Sequence, residues 1–277
     1  MGFRINTNVS SIAAQRSLSK SNRESQSTLA KMSSGTRITK ASDDAAGLAI
    51  SEKLKARVKS NTQANRNAND GISMVQTAEG GLDEVSNILT RLRELSVQSA
   101  SDTVGDVERG FTDMEYQNLK QEVERIAQVT EFNGTKLLSG EGGTLDFQIG
   151  VNNDEFQDRI SYDASMQNAK LDSLGIDGIA VNSKEGAQTA LSTIDSAIET
   201  ISGQRASLGA IQNRLISTSN NLQITNENLS AANSRIRDVD YAEVAAANAK
   251  NNILGQAGTS VLAQANAQGQ NALRLLG

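Results

Sequence analysis

The chain has 277 residues, of which 37% are hydrophobic and only 3% aromatic, and it contains no Cys, Pro, His or Trp. These absences exclude disulfides, thiolate nucleophiles, imidazole bases and metal sites built from Cys or His. A globular domain of this size normally relies on aromatic residues and on Pro in its loops, so the composition favours long helices.

The net charge of −5, with both signs spread along the chain, indicates a solvated surface rather than a nucleic-acid or acidic-membrane partner. The longest uncharged run, residues 251–273, is rich in Gln, Asn and Gly, so we expect no membrane insertion. Arg4 is not followed by an apolar core of about 7 to 15 residues, which predicts that a cleavable secretory signal of the usual kind is absent. Taken alone, this fact favours cytoplasmic residence.

The N-terminal arm, residues 1–43, has a helical but weak apolar stripe that includes Ile5, Val9 and Ile12 among many Ser, Asn and Gln. Such a segment is predicted to be helical only when bound. Its charge is mostly positive, but the basic residues are interleaved with Ser and Asn, and only Phe3 is available to stack on a base. Nucleic-acid binding is therefore not expected.

Residues 44–139 are predicted to form two helices. Ser33–Thr36 breaks the first helix of the chain, and Asp43 and Asp44 supply capping oxygens for the next, which runs from about Ala45 to Ser99. This helix carries a heptad seam with two apolar positions, including Val75, Leu82 and Leu89. After a loop, a third helix is expected to place Tyr116, Leu119, Val123, Ile126 and Val129 on one side.

In residues 140–183 the spacing of the apolar residues changes from a helical period to a period of two. From Thr144 the apolar residues alternate, first in the run that contains Leu145 and Phe147, and then from Phe156 to Tyr162. With a turn at 152–155 between them, these runs predict a β-hairpin, the only sheet expected.

Residues 184–236 repeat one apolar position every seven residues, a period that no strand can use. The seam is Ala187, Ile194, Ile201, Leu208, Leu215, Leu222, Leu229 and Ile236. It predicts a continuous helix on the order of 75 Å long. Because the stripe is narrow and the helix contains Gly203 and Gly209, the helix needs a partner along its length.

The C-terminal arm, residues 237–277, continues the pattern more weakly through Leu254, Val261 and Leu275, and is expected to be largely unfolded when free.

The candidate catalytic motifs are weak. Ser17 and Lys20 fit the S-x-x-K pattern of acyl-transfer enzymes, but its companion motifs are missing. The acidic pairs at 43–44 and 154–155 are explained by a helix cap and a turn. We therefore expect no enzyme activity, no cofactor and no metal. The predicted fold is mainly α, a long antiparallel bundle of helical rods with one small β-hairpin region and with terminal arms that are disordered in the monomer.

Five motifs in order carry a family resemblance over nearly the whole chain. They are MGFRINTNVSSIAAQRSL, SSGTRITKASDDAAGLAISEKLKA, RLRELSVQSASDT, FNGTKLLSG, and SRIRDVDYAEVAAANAK followed by ILGQAGTSVLAQANAQGQNALRLL. In these the chain resembles bacterial flagellin. The resemblance implies an extracellular filament subunit for swimming motility, exported through the flagellar type III channel without a cleavable signal, and this supersedes the cytoplasmic expectation.

The resemblance also implies partners and sites. The terminal arms would form an inner coiled-coil core by contact with copies of the same chain, and the central helices a surrounding layer. Further implied partners are the filament cap and hook-junction proteins and an export chaperone on the C-terminal arm.

Arg91, Leu95 and Glu115 match positions by which many flagellins are recognised by the vertebrate Toll-like receptor 5. In the alternative interpretation, Leu95 packs in the bundle and Arg91 pairs with Glu94 or another neighbour. The alternative function is a secreted helical adhesin or a needle-tip type of subunit.

Overall fold

The computed structural model describes residues 7–274, and the surroundings of the side chains from residue 7 to residue 267. Within this range the chain is mainly α, as the sequence predicts. Two predicted assembly residues, Ile5 and Leu275, lie outside the described residues. Contacts divide the chain into two units. The first unit combines the described residues up to Ala56 with those from Asn228 onward. The second unit is Arg57–Glu227.

The first unit contains the terminal helices α1 (Val9–Ser34) and α6 (Tyr241–Arg274). It also holds the beginning of α2 (Ala45–Ser99) and the end of α5 (Lys184–Arg237). Helix α1 ends where the sequence predicts, because Gly35 adopts the left-handed conformation (φ 67°) that terminates helices and that residues with a Cβ rarely adopt.

The second unit is a helical bundle built from α2, α3 (Asp106–Val129) and α5. Its core contains fully buried aliphatic residues of α2, namely Val75, Ala78, Leu82, Val85, Leu89 and Leu92. The heptad seam of α5 is buried in the same core from Ala187 to Leu215, and Leu222 is half-buried. Each long helix thus buries the narrow stripe that cannot stabilise it alone.

Helix α3 buries the predicted side except at its last residue, and Leu119 and Ile126 on that side pack against the core. Val129 is exposed, so its assignment to the packed side was wrong, whereas Tyr116 and Val123 are buried as expected. Two cations, Arg109 and Lys120, lie on the buried stripe. They can lie there because long aliphatic stems pack against apolar surface while the charged ends reach backbone oxygens.

Those buried cations fix the loops around α3. The Arg109 guanidinium donates to the carbonyl oxygens of Ser99 at 2.9 Å and Ser101 at 3.0 Å. The Lys120 ammonium donates to the carbonyls of Asp177 and of Ile179, the latter at 3.0 Å. Burial lowers the pKa of Lys120, and it raises the pKa of the neighbouring buried Tyr116 to about 12.

The β structure consists of two short antiparallel hairpins in the described part of the chain, so the expectation of a single sheet was wrong. In the unpredicted hairpin, β1 (Glu131–Phe132) pairs with β2 (Thr135–Lys136). Its two-residue turn has positive φ at Asn133 (50°) and Gly134 (78°). Asn-Gly is the preferred sequence for this turn type.

The predicted hairpin is present, and β3 (Thr144–Gln148) pairs with β4 (Arg159–Asp163), with Leu145 opposite Tyr162. Phe156 was expected to begin the second strand, but it lies in the connecting loop and is 91% exposed. The loop is organised by the buried carboxylate of Asp158, which accepts the backbone N–H groups of Asn152 and Asp154. A short helix, α4 (Leu171–Leu174), then precedes α5.

Two glycines provide a test of this backbone description. Alanine at Gly134 has open space but must adopt φ 78°, so we expect Gly134→Ala to destabilise the protein by about 1–2 kcal/mol. Gly80 lies inside α2, also with open space, so Gly80→Ala should stabilise by about 1 kcal/mol. Urea unfolding followed by circular dichroism measures both changes. Effects of the same sign would contradict the turn assignment.

Candidate functional site

The terminal helices α1 and α6 pack against each other as an antiparallel pair. The Asn8 side chain donates to the carbonyl of Ala265 at 2.8 Å, and the Ser11 hydroxyl donates to Asn266 Oδ1 at 2.7 Å. Further along, the Ser21 hydroxyl donates to the carbonyl of Asn251 at 3.2 Å. Residue numbers rise on α1 as they fall on α6, which defines the antiparallel direction.

The surface between these two helices is small and polar. Ser21 and Thr28 are the buried residues of α1, and Ala265 is buried on α6. Leu18 packs over Gly258, where an added Cβ would lie 3.3 Å from Leu18 Cδ1. Close approach is possible because small residues line the contact, but such residues bury little apolar area.

Several large apolar residues of the same two helices point away from this contact. They are exposed over 48% to 67% of their surface. The members of this set, called here the outer apolar set, are Val9, Ile12, Leu29, Ile253, Leu254 and Val261. These exposed residues are a candidate interaction surface.

A short β-bridge links the segments that end α1 and α5. The backbone N–H of Arg37 donates to the carbonyl of Arg237 at 2.7 Å, and the N–H of Val239 donates to that of Gly35 at 3.1 Å. Thr36 and Asp238 form the bridge itself. Because both chain segments leave their helices here, the bridge fixes where the terminal pair begins.

The two carboxylates predicted as caps have different roles. Asp44 caps α2, since its Oδ1 accepts the N–H of Gly47 at 2.8 Å. Asp43 instead closes the preceding turn by accepting from the hydroxyl of Thr39 and from the N–H groups of Thr39 and Lys40, all at 2.9–3.0 Å. These bonds, led by the Thr39 hydroxyl, hold the pKa of Asp43 below its ordinary value.

The receptor-type residues are separated by burial. The Arg91 guanidinium lies on the surface and donates to Glu94 at 2.8 Å and to Glu115 at 2.9 Å. These bonds, to Glu94 first and then to Glu115, hold the pKa of Arg91 above its ordinary value. Leu95 is only 2% exposed and belongs to the bundle core. The exposed patch in this structure therefore contains Arg91, Glu94 and Glu115, with Leu95 beneath it.

Neither a metal site nor a membrane span is evident between residues 7 and 274. No three Asp or Glu side chains there are grouped so that they could hold a metal ion. In the same range, no helix has the length and apolar character needed to cross a bilayer.

Family models match both ends of the chain. The N-terminal helical region of bacterial flagellin matches residues 5–142, and the C-terminal helical region matches residues 191–276. The chain is also 43% identical over 272 residues to a flagellin from Halalkalibacterium halodurans, which covers 98% of this chain and 99% of that protein. The chain belongs to the bacterial flagellin family.

Other relatives support the same assignment. The flagellar filament core protein flaB2 of Brachyspira hyodysenteriae is 43% identical over 284 residues, covering 98% of this chain and 99% of that protein. The crystal structure of Bacillus cereus flagellin superimposes with a TM-score of 0.51 at 31% identity, covering 57% of this chain and 88% of that chain. Flagellins are structural proteins rather than enzymes, and the adhesin or needle-tip alternative is not favoured.

Sequence reasoning missed several residues that shape these flagellin surfaces. The bridge between Thr36 and Asp238 joins segments far apart in sequence, so no local sequence pattern predicts it. The closure of the turn by Asp43 could have been found, because Thr, Asn and Asp side chains commonly bond nearby backbone groups.

Leu95 and Arg91 should behave differently when truncated. Leu95→Ala removes a buried core side chain, so we expect a loss of about 2–5 kcal/mol in the free energy of unfolding. Arg91→Ala removes only exposed ion pairs and should change that free energy little. Urea unfolding of the two variants measures the difference. Equal losses would contradict the burial of Leu95.

Proposed function

We propose that this flagellin polymerises through its terminal helices, which form an inner coiled-coil tube in an extracellular flagellar filament used for swimming. The supporting observation is the outer apolar set, which α1 and α6 leave exposed after packing against each other. Copies of the same chain carry the same set, so a helical homopolymer buries it repeatedly. In this proposal, residues 1–43 and 237–277 form the inner core, and residues 44–139 and 184–236 form a surrounding rod layer that carries the 140–183 hairpin region.

The same surfaces argue for folding on assembly. Ordering one residue costs about 1–2 kcal/mol of backbone entropy, and a contact made of Ser, Thr, Ala and Gly returns little of it. Glycines within α6, such as Gly255 and Gly258, weaken the helix further. The arms of the free monomer are therefore unfolded, pass through a narrow export channel in that state, and become helical when neighbouring copies cover them.

Further partners follow from the same exposed residues. An export chaperone on the C-terminal arm would cover Ile253, Leu254 and Val261 before assembly. Filament cap and hook-junction proteins would meet the terminal arms at the two ends of the filament. These assignments extend the family resemblance, and the exposed apolar residues of α6 support them.

Polymerisation should depend on the outer apolar set. In Leu254→Ser with Val261→Ser, two aliphatic side chains no longer become buried between copies, at about 1–3 kcal/mol each. We expect the critical concentration for seeded polymerisation to rise by at least about tenfold. Sedimentation and electron microscopy measure it. Gln264→Ser, on an exposed polar residue of the same helix, is the matched control and should polymerise normally.

An unchanged critical concentration for the double variant would contradict the proposal. Unfolding of the bundle, followed by urea titration, should be the same in all three proteins. That comparison separates a defect in assembly from a defect in folding.

We also propose that the exposed Arg91–Glu115 pair is recognised by Toll-like receptor 5, with Leu95 supporting it from below. Arg91→Ala and Glu115→Ala should each weaken binding of the monomer to the receptor ectodomain by about tenfold. Arg93→Ala is the matched control, because Arg93 lies on the same helix and pairs instead with Asp195. Surface plasmon resonance measures the affinities. Unchanged affinity in both test variants would contradict recognition through this pair.

A further inference from the structure

Helix α3 presents an apolar stripe to solvent. Val107, Phe111 and Met114 are 57% to 69% exposed, and spacings of four and three residues put them on one helix face. The core of the bundle is formed by the opposite side of this helix, around Tyr116 and Val123. Most of the surface of these three side chains therefore lies outside the core of their own chain.

The rim of this stripe is acidic. Glu108 and Glu115 are exposed and each follows a stripe residue, so the two carboxylates line the same edge. Glu108 has no ion-pair partner among residues 7–267, and Glu115 shares the single positive charge of Arg91 with Glu94. The basic residues Arg109 and Lys120 are buried on the other side of α3 and do not neutralise this edge.

A complementary surface exists elsewhere on the second unit. The first part of α2 carries the exposed cations Arg57, Lys59 and Arg66. None of these three forms an ion pair with any described residue. The next acidic residue in this stretch is Asp70. Unpaired cations with long aliphatic stems suit an apolar stripe with an acidic rim, because the stems cover apolar surface and the charged ends meet carboxylates.

We propose that the acid-rimmed stripe of α3 binds the basic segment of α2, residues 57–66, of a second copy of this chain. This inference rests on the proposed polymerisation and assigns a specific contact to the bundle in it. The stems of Lys59 and Arg66 pack over Phe111, and their charged ends meet Glu108 and Glu115. Charge complementarity sets the orientation of the neighbouring copy.

Methionine oxidation tests whether the stripe becomes covered. Met114 lies in the stripe, Met166 is 71% exposed outside it, and Met74 is buried in the core. Monomer and polymer of the unmodified chain are treated with dilute hydrogen peroxide, which converts an accessible thioether to the sulfoxide with release of water. Peptide mass spectrometry gives the rate at each residue. We expect Met114 to oxidise at least about tenfold more slowly in the polymer than in the monomer.

Met166 and Met74 calibrate the measurement in each state, as an accessible and an inaccessible thioether. Equal oxidation rates for Met114 in monomer and polymer would overturn the proposal. A chain that does not polymerise at all contradicts the proposed function instead, so the two failures are distinguishable.

A charge swap tests the partner. Arg66→Glu should raise the critical concentration by about tenfold, whereas Lys136→Glu, an equal charge change on an exposed strand residue, should not. Every copy contributes both surfaces, so Arg66→Glu combined with Glu108→Lys restores opposite charges and should recover most of the loss. If Arg66→Glu behaves like Lys136→Glu, or if the combined variant polymerises no better than Arg66→Glu alone, the basic segment is not the partner.

Discussion

The two terminal helices meet each other mainly through small and polar residues, and this is the constraint on which the rest of the account depends. Ser21, Thr28 and Gly258 allow close approach but remove little apolar surface from water. Residues able to supply more burial, such as Val9 and Val261, face away from the pair. The chain alone leaves this surface exposed. In the proposed polymer, neighbouring copies cover it.

The bundle of the second unit, unlike the terminal helices, buries its apolar seam residues within a single chain. The bundle can therefore fold alone, whereas the terminal helices leave apolar residues exposed. Leu82, Leu89 and Ile201 are completely buried within a single chain. Towards the other end of the same helices the contacts become polar, because the Ser219 hydroxyl donates to Asn65 Oδ1 at 2.7 Å and Asn226 donates to Thr62 at 3.3 Å. Partly buried polar pairs of this kind add little stability but favour one register between two helices.

The helices, the break at Gly35 and the main hairpin could be predicted from sequence because each follows from a local rule. A seven-residue period predicts a rod, and a period of two predicts strands. The Asn133–Gly134 hairpin was also readable, since that dipeptide is the strongest short signal for a tight turn, but its strands are only two residues long and give no periodicity.

The burial of some other residues could not be predicted from the spacing of apolar residues. Arg109 and Lys120 occupy buried positions because carbonyl oxygens of distant loops accept their hydrogen bonds, and the sequence does not show where those loops fold. The depth of Leu95 beneath Arg91 likewise depends on how α3 and α5 pack around α2. Residues four apart share a face of a helix, but the width of the buried stripe decides which of them reaches solvent.

Hydrogen exchange followed by mass spectrometry tests the central claim most directly, because it compares the terminal helices in monomer and polymer within one chain. The account predicts that amides of α1 and α6 exchange within seconds in dilute monomer, while those of α2 between Val75 and Leu92 remain protected. On polymerisation, exchange in α1 and α6 should slow by at least about a hundredfold. Protection of α1 and α6 in dilute monomer equal to that of the bundle core would contradict the account.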